Sequence, residues 1–385
     1  MTANGGVQKR IATAGFLGFF IIGAVQALYG PSIPQLLNVY QLNQAQVGLA
    51  LSAQFLGTVL GILLSGVAER AGTRSSQRLV ASCVCLVVGM LLFPFAPTWP
   101  VALIGAAIGG LGYGGLDINI NLVFATSFGS RGASMLNLVN AAFGVGAIAG
   151  PVLVAASPQG NYRWAFVSLA VLSVFLFPLV ASSRDTSTRE AVGPATHSGR
   201  SLLLLMGLFI LAYFVYVGME TGVSGWETRF TQSLRLLPET TAAALPALFW
   251  AGLTLGRLAA TLVSRYARPQ VIVIGSLTLG VVCLALAHIT GIAVVAFTVA
   301  GLFLGPVFPT GLAWLGEHAP VAGGTLAIVV AAAAFGGVLF PPVIGGLFDA
   351  FGPHVVPTVL TMLGVLCLAL FLTLTRFRVV PGTRG

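Results

Sequence analysis

Gly57-Thr-Val-Leu-Gly61, with Arg70 nine residues on, and Gly252-Leu-Thr-Leu-Gly256, with Arg265 nine residues on, repeat each other at an offset of 195 at all three positions. The same order recurs further along. Gly110-Leu111 returns as Gly301-Leu302, offset by 191, and Ala141-Ala-Phe-Gly144 returns as Ala333-Ala-Phe-Gly336, offset by 192. Any one match carries little weight, but matches in order and near one spacing imply a unit duplicated in parallel. Between the copies lies a polar stretch, 183–200, which holds Arg184, Asp185, Arg189, Glu190 and Arg200 among Pro and Gly and reads as a linker. The expected organisation is an N-terminal half over 1–182, a linker over 183–200 and a C-terminal half over 201–385.

The repeated segments sit in apolar runs, and the composition says why. Of 385 residues, 57% are hydrophobic and 7% charged, with a mean hydropathy of +0.98. A soluble domain carries roughly 25% charged residues; this chain could not clothe a globular surface, so its solvent is lipid. Backbone groups in lipid must be satisfied internally, which leaves helices or closed barrels. The runs are far longer than the ~10-residue alternating strands of a barrel, so helices are expected. Twelve spans of about the ~20 residues a bilayer requires fall at 12–36, 46–68, 79–96, 99–125, 132–156, 163–182, 201–228, 240–264, 270–289, 292–315, 322–348 and 355–376. The first is read as a span and not a cleaved leader, because its apolar run is too long and no cleavage site with a polar continuation follows.

Basic residues set the orientation. With the N-terminus inside, fourteen of the eighteen Lys and Arg are cytoplasmic, Arg163, Arg229 and Arg235 fall outside, and Arg257 lies within a span. The net charge of +9 is thus a matter of topology, and no nucleic-acid partner is implied. Arg outnumbers Lys seventeen to one, which points to GC-rich bacterial coding and so to a multi-pass protein of the cytoplasmic (inner) membrane with both termini cytoplasmic. Cys83, Cys85, Cys283 and Cys367 all lie in apolar spans without metal-ligand spacing and read as packing. Gly110-Leu-Gly112-Tyr-Gly-Gly115 matches a dinucleotide fingerprint in letters only, because it lies inside a span and not between a strand and a helix. Gly57/Gly61, Gly110/Gly114, Gly146/Gly150 and Gly252/Gly256 are small-xxx-small pairs that let helices approach closely.

The turn Gly66-Val-Ala-Glu69-Arg70-Ala-Gly72-Thr-Arg74 resembles the signature loop of the major facilitator superfamily, with Glu69 where that signature usually has Asp. Gly144-Val-Gly146-Ala-Ile-Ala-Gly150-Pro151 resembles that superfamily's Gly/Pro hinge. Several segments are similar to its branch of fucose–proton symporters and sodium-dependent glucose transporter-like proteins: Tyr29-Gly30-Pro31, Gly115-Leu-Asp117-Ile-Asn-Ile-Asn121, Tyr216-Val-Gly218-Met-Glu220 with Gly225-Trp226, Phe249-Trp250, Gly256-Arg257 and Phe308-Pro309-Thr310. The resemblance implies an all-α membrane protein of twelve transmembrane helices in two pseudo-symmetric six-helix halves (the major facilitator fold). It also implies hexose-type substrates driven by a cation gradient.

An ionisable side chain inside a span costs at least ~2.5–3.5 kcal/mol, so Asp117, Glu220 and Arg257 are the functional candidates. Asp117 has Asn121 one helical turn further on the same face. Low dielectric favours the neutral form of a carboxyl group, which suits a proton-coupling role. A structural carboxyl satisfied by Asn121 is the other reading, and a carboxylate with amide carbonyls also suits sodium. Glu220 shares its face with Tyr216, and Gly218, Gly222 and Gly225 are expected to weaken the helix there. A sugar asks for a polar acceptor and an aromatic platform, a pairing offered by Glu220 and Trp226. Gln26, Gln54, Asn119, Asn137 and Asn140 are buried amides that either line the cavity or join helices, with Gln54, Asn121 and Asn140 ranked first by the resemblance. Trp250 either stacks on substrate or packs. Arg257 stands where the first copy has Ile62; it needs a partner such as Glu220 and is expected to be structural or gating. From the resemblance, Glu69, Arg70 and Arg74 form a cytoplasmic latch.

No His, nucleophile or metal cluster has catalytic spacing, so no enzyme, cofactor or bound metal is expected. The partners are a small-molecule substrate (a sugar), a coupling cation (a proton, with sodium as the alternative) and the lipid bilayer, around a monomer. The expected function is cation-coupled import of a monosaccharide by alternating access. The rivals are a proton-coupled exporter of drugs or small metabolites and a non-transporting sensor on the same scaffold.

Overall fold

In lipid a helix can end only where polar backbone meets water or a cap, and the chain marks these places. Asn43 opens the second helix: its Oδ1 accepts from the Gln46 amide at 2.8 Å, and Gln46 Oε1 accepts from the Asn43 amide at 3.0 Å. Gly72, at φ +82°, turns the chain after Arg70. The computed structural model describes residues 2–128, 132–181, 200–318 and 323–376. Its helices are α1 (Thr2–Tyr40), α2 (Gln44–Arg70), α3 (Ser75–Phe95), α4 (Trp99–Ser127), α5 (Gly132–Ala156), α6 (Tyr162–Val174), α7 (Phe177–Ala181), α8 (Arg200–Ser233), α9 (Glu239–Val263), α10 (Pro269–Leu286), α11 (Ala293–Leu304), α12 (Val307–His318), α13 (Gly323–Phe351) and α14 (Val355–Leu374). Twelve spans result, with α6 and α7 sharing one and α11 and α12 another. The second break falls at Gly305-Pro306, where proline lacks the amide a continuous helix needs. The linker, apart from Arg200, lies outside the described residues.

One local expectation is overturned. Gly218, Gly222 and Gly225 do not weaken α8, which runs unbroken to Ser233, past the expected end at 228. They are packing sites: a Cβ at Gly218 would strike the Phe340 ring, one at Gly222 the Leu360 and Ile344 methyls, and one at Gly225 the Leu51 side chain.

The sequence repeat reappears as a repeat of backbone contacts. A Cβ at Gly57 would run into the carbonyl oxygen of Ala107, one at Gly61 into that of Leu111, and one at Gly110 into that of Gln54, which locks α2 against α4. In the second half, Gly252 meets the carbonyl of Thr298, Gly256 that of Leu302 and Gly301 that of Phe249, which locks α9 against α11 in the same way. These pairs stand in equivalent positions of two six-helix halves, as expected for the duplicated fold.

The two membrane faces differ. On the side away from the Arg-rich face (Arg70, Arg74, Arg265, Arg268), the halves are joined. Asp349 at the end of α13 accepts from the Gln44 and Ala45 amides at 3.0 and 2.9 Å. With its amide oxygen turned to the guanidinium, Gln44 accepts from Arg229 of α8 at 3.2 and 3.1 Å. Ser52 donates to the Val338 carbonyl at 2.5 Å. Towards the Arg-rich face α2 makes no hydrogen bond or ion pair to the second half among the described residues beyond Ser52. The buried residues of α2 run from Gln44 to Gly61, and Leu63, Leu64 and Val67 beyond them are more than half exposed. Among the described residues these polar contacts between the halves lie at the end away from the Arg-rich face.

Candidate functional site

In the first half, α4 presents a polar strip in an apolar helix. Tyr113, Asp117 and Asn121 follow at four-residue steps and share one face, each half-buried. The Asn121 amide donates to Asp117 Oδ1 at 3.1 Å. From the other half α8 brings Glu220 and α9 brings Arg257, whose Nη2 lies 3.7 Å from Glu220 Oε1. The Tyr113 hydroxyl feels the charges of Asp117, Glu220 and Arg257 together, so the cluster spans the join between the halves. Arg257 is 31% exposed and Glu220 12%, so the pair is not fully sealed in the core. The chemistry on offer is one carboxyl group held by a neutral amide and a second beside a cation, with a phenol one turn from the first on the same helix face.

Tyr216 is buried beside Glu220 and donates to the Leu304 carbonyl at 3.0 Å, while Tyr213 donates to that of Phe308 at 3.0 Å. Both tie α8 to the two sides of the α11–α12 break. Gln26 and Gln54 meet in the core, Gln54 Nε2 donating to Gln26 Oε1 at 3.1 Å, which leaves Gln54 Oε1 buried without a partner among the described residues. Asn140 is exposed and donates to the Leu136 carbonyl at 2.8 Å, and Asn137 is exposed near it. Trp250 is buried with its ring 6.1 Å from Phe143 across the join. Trp226 is not brought to Glu220. Six residues along a helix turn it off that face, and it is fully buried with its ring 6.0 Å from Phe348.

At the Arg-rich face Arg70 and Arg74 are exposed, and the Glu69 carboxylate lies 3.9 Å from Arg78. Arg78, placed by sequence in a solvated connection, is buried; its Nε donates to Asn119 Oδ1 at 2.7 Å and its Nη1 to the Thr73 carbonyl at 2.6 Å. Asn119 also donates to Ser65 at 3.1 Å and so joins helices. Four groups were missed from sequence: Tyr113, Arg78, the Arg229–Gln44–Asp349 cluster and Glu227. Tyr113 was detectable, one turn from Asp117 on the same face.

Two six-helix halves with a charged, half-buried cluster at their join and one end tied by polar contacts define a membrane transporter, not an enzyme. The chain belongs to the Major Facilitator Superfamily, whose family model matches residues 15–266 and again 208–384. Among curated relatives, it is 26% identical over 378 residues to "Sodium-dependent glucose transporter 1A" of Mus musculus, covering 86% of this chain and 87% of that one. It is 27% identical over 369 residues to "Glucose/galactose transporter" of Brucella abortus, covering 87% of each. Among solved structures, the nucleoside transporter NupG in a mutant form superposes with a TM-score of 0.79 at 14% identity over 96% of this chain and 99% of that one, which shows the shared fold.

Proposed function

We propose that this chain imports a monosaccharide of the hexose type, driven by a cation gradient, by exposing one cavity alternately to the two sides of the membrane. The observation that carries the reading is the cluster at the join: Asp117 with Asn121 on one half, Glu220 with Arg257 on the other, and Tyr113 feeling the charges of both. Asp117 takes the coupling cation, a proton. It can change charge without stranding a partner, because that partner is a neutral amide. Glu220 and Arg257 offer an acceptor and donors to sugar hydroxyls, Tyr113 offers a ring face, and Asn140 lines the open side. Curated relatives named for glucose and galactose transport support the substrate class. With both termini cytoplasmic, as the basic residues imply, the end where polar contacts join the halves is the outer, closed one and the cavity faces the cytoplasm. The latch at the inner side is Glu69 with Arg70 and Arg74, joined by Arg78. Binding drives the cycle only as far as sugar and cation prefer one state over the other.

The test is uptake of labelled hexoses into proteoliposomes under an inward proton gradient, an inward sodium gradient and none. Accumulation under the proton gradient alone supports the reading. Accumulation under sodium alone moves the coupling to sodium. No uptake of any hexose by folded protein under any gradient rejects the sugar and favours an exporter.

A further inference from the structure

Glu227 lies seven residues beyond Glu220 on α8, two turns and ~10 Å further towards the closed end on the same face. Its side chain is fully buried, and neither carboxyl oxygen has a hydrogen-bond partner among the described residues. The neighbouring Thr228 hydroxyl, also fully buried, is unpartnered as well. The charged and titratable groups of the surrounding helices are engaged elsewhere or distant. Arg229 of α8 reaches Gln44, and Asp349 of α13 caps α2. Arg257 of α9 pairs with Glu220, and Glu239 stands in the first turn of α9. Cys367 of α14 faces the Ala212 carbonyl, and Tyr29 of α1 packs its ring on Phe93 and Phe166, its buried hydroxyl having no hydrogen-bond partner among the described residues. Lys9 and Arg10 of α1 and Glu317 of α12 are at the Arg-rich end, and α11 carries no titratable residue. Among the described residues no ion pair or hydrogen bond reaches the Glu227 carboxyl group. An ionised carboxylate sealed in such a place, with neither cation nor donor, is not tolerated; the group is neutralised instead.

We propose that Glu227 is a second protonation site, distinct from Asp117, which takes up one proton from the solvent on the closed side when that end of the molecule seals and gives it back when it opens. The inference rests on the alternating-access reading above, but it requires no sugar. The step balances simply: the carboxylate, hydrated while that end is open, gains one proton and becomes the carboxylic acid as the helices close over it. Closure is therefore favoured as pH falls, by up to tenfold in the closed-to-open ratio per pH unit for one proton. Asp349 works the other way, because its ionised form caps α2, so protonating it loosens the same end.

The experiment uses full-length protein in lipid nanodiscs without substrate. Spin labels on Asn38→Cys and Phe351→Cys, one in each half at the closed end, are placed in a background with the four native cysteines changed to Ala, and the distance distribution is followed with pH. The comparison is made with Asp349→Asn in both proteins, which removes the opposing group. The expected result is a closed population that rises as pH falls in the protein that keeps Glu227, and one that is closed and independent of pH in Glu227→Gln. Glu227→Ala serves where the amide is not tolerated, with the same expectation. A pH response in the Gln or Ala protein equal to that of the parent overturns the proposal, as does a parent with no pH response once Asp349 is neutral. Either result leaves the hexose uptake assay to stand or fall by itself.

Discussion

Asp117 and Glu220 face the same join from opposite halves and keep different company. Asp117 is held by an amide on its own helix, at 3.1 Å from Asn121. Glu220 is held by a guanidinium on a neighbouring helix, at 3.7 Å from Arg257, with Tyr216 beside it. The difference decides what each can do. A carboxyl group whose partner is neutral can change its charge and leave nothing uncompensated. One whose partner is a half-buried cation cannot, because removing either charge strands the other. Asp117 is thus suited to a group that loads and unloads, and Glu220 to a fixed anchor.

Four results would break or sharpen that contrast. The largest effect is expected for Asp117→Asn: gradient-driven accumulation in proteoliposomes should be abolished while counterflow exchange of labelled sugar continues. If Glu220→Gln did the same, the division of labour would be wrong. For Glu220→Gln the expectation is coupling retained with sugar affinity weakened about ten- to hundredfold, the ~1.5–3 kcal/mol of a charge-assisted hydrogen bond, read from the half-saturating sugar concentration. Arg257→Leu should weaken binding similarly, and the Glu220→Gln/Arg257→Leu double variant should be better than the sum of its parts, by ~0.5–3 kcal/mol in a double-mutant cycle; strict additivity would mean the pair does not act as one unit. The smallest effect is expected at the sealed end. Asp349→Asn should raise the rate at which a membrane-impermeant thiol reagent reaches Ser52→Cys, buried at the same contact, by a fewfold, because the α2 cap is weakened.

Much of this molecule is legible in its sequence because lipid is a strict solvent. It demands spans of about 20 apolar residues, and all twelve can be seen before any coordinates. Asp117 and Asn121 are legible for the same reason, since four-residue spacing in a helix fixes a shared face. The failures arise where position along the chain says nothing about depth or distance. Glu227 looks like a residue of a span end, and only the extension of α8 to Ser233 puts it inside. Arg78 looks like one more basic residue in a connection, and its burial depends on Asn119 being beneath it. Asp349 finds its partners some three hundred residues away, with no local signal. The glycines of α8 were misjudged because intrinsic propensity was weighed alone, while Phe340, Ile344, Leu360 and Leu51 fill the room they leave.

The Asp349 contact has an implication for genetics. On the α2 side the partners are main-chain amides of Gln44 and Ala45, which every residue except proline possesses. Substitutions at those positions leave the donors in place, so a selection for transporters that open too readily should collect lesions in the acceptor, Asp349, far more often than in the segment it grips. Only a proline at 44 or 45 would remove a donor outright. The bolt of this lock is encoded in one codon, and its socket is written in the peptide bond itself.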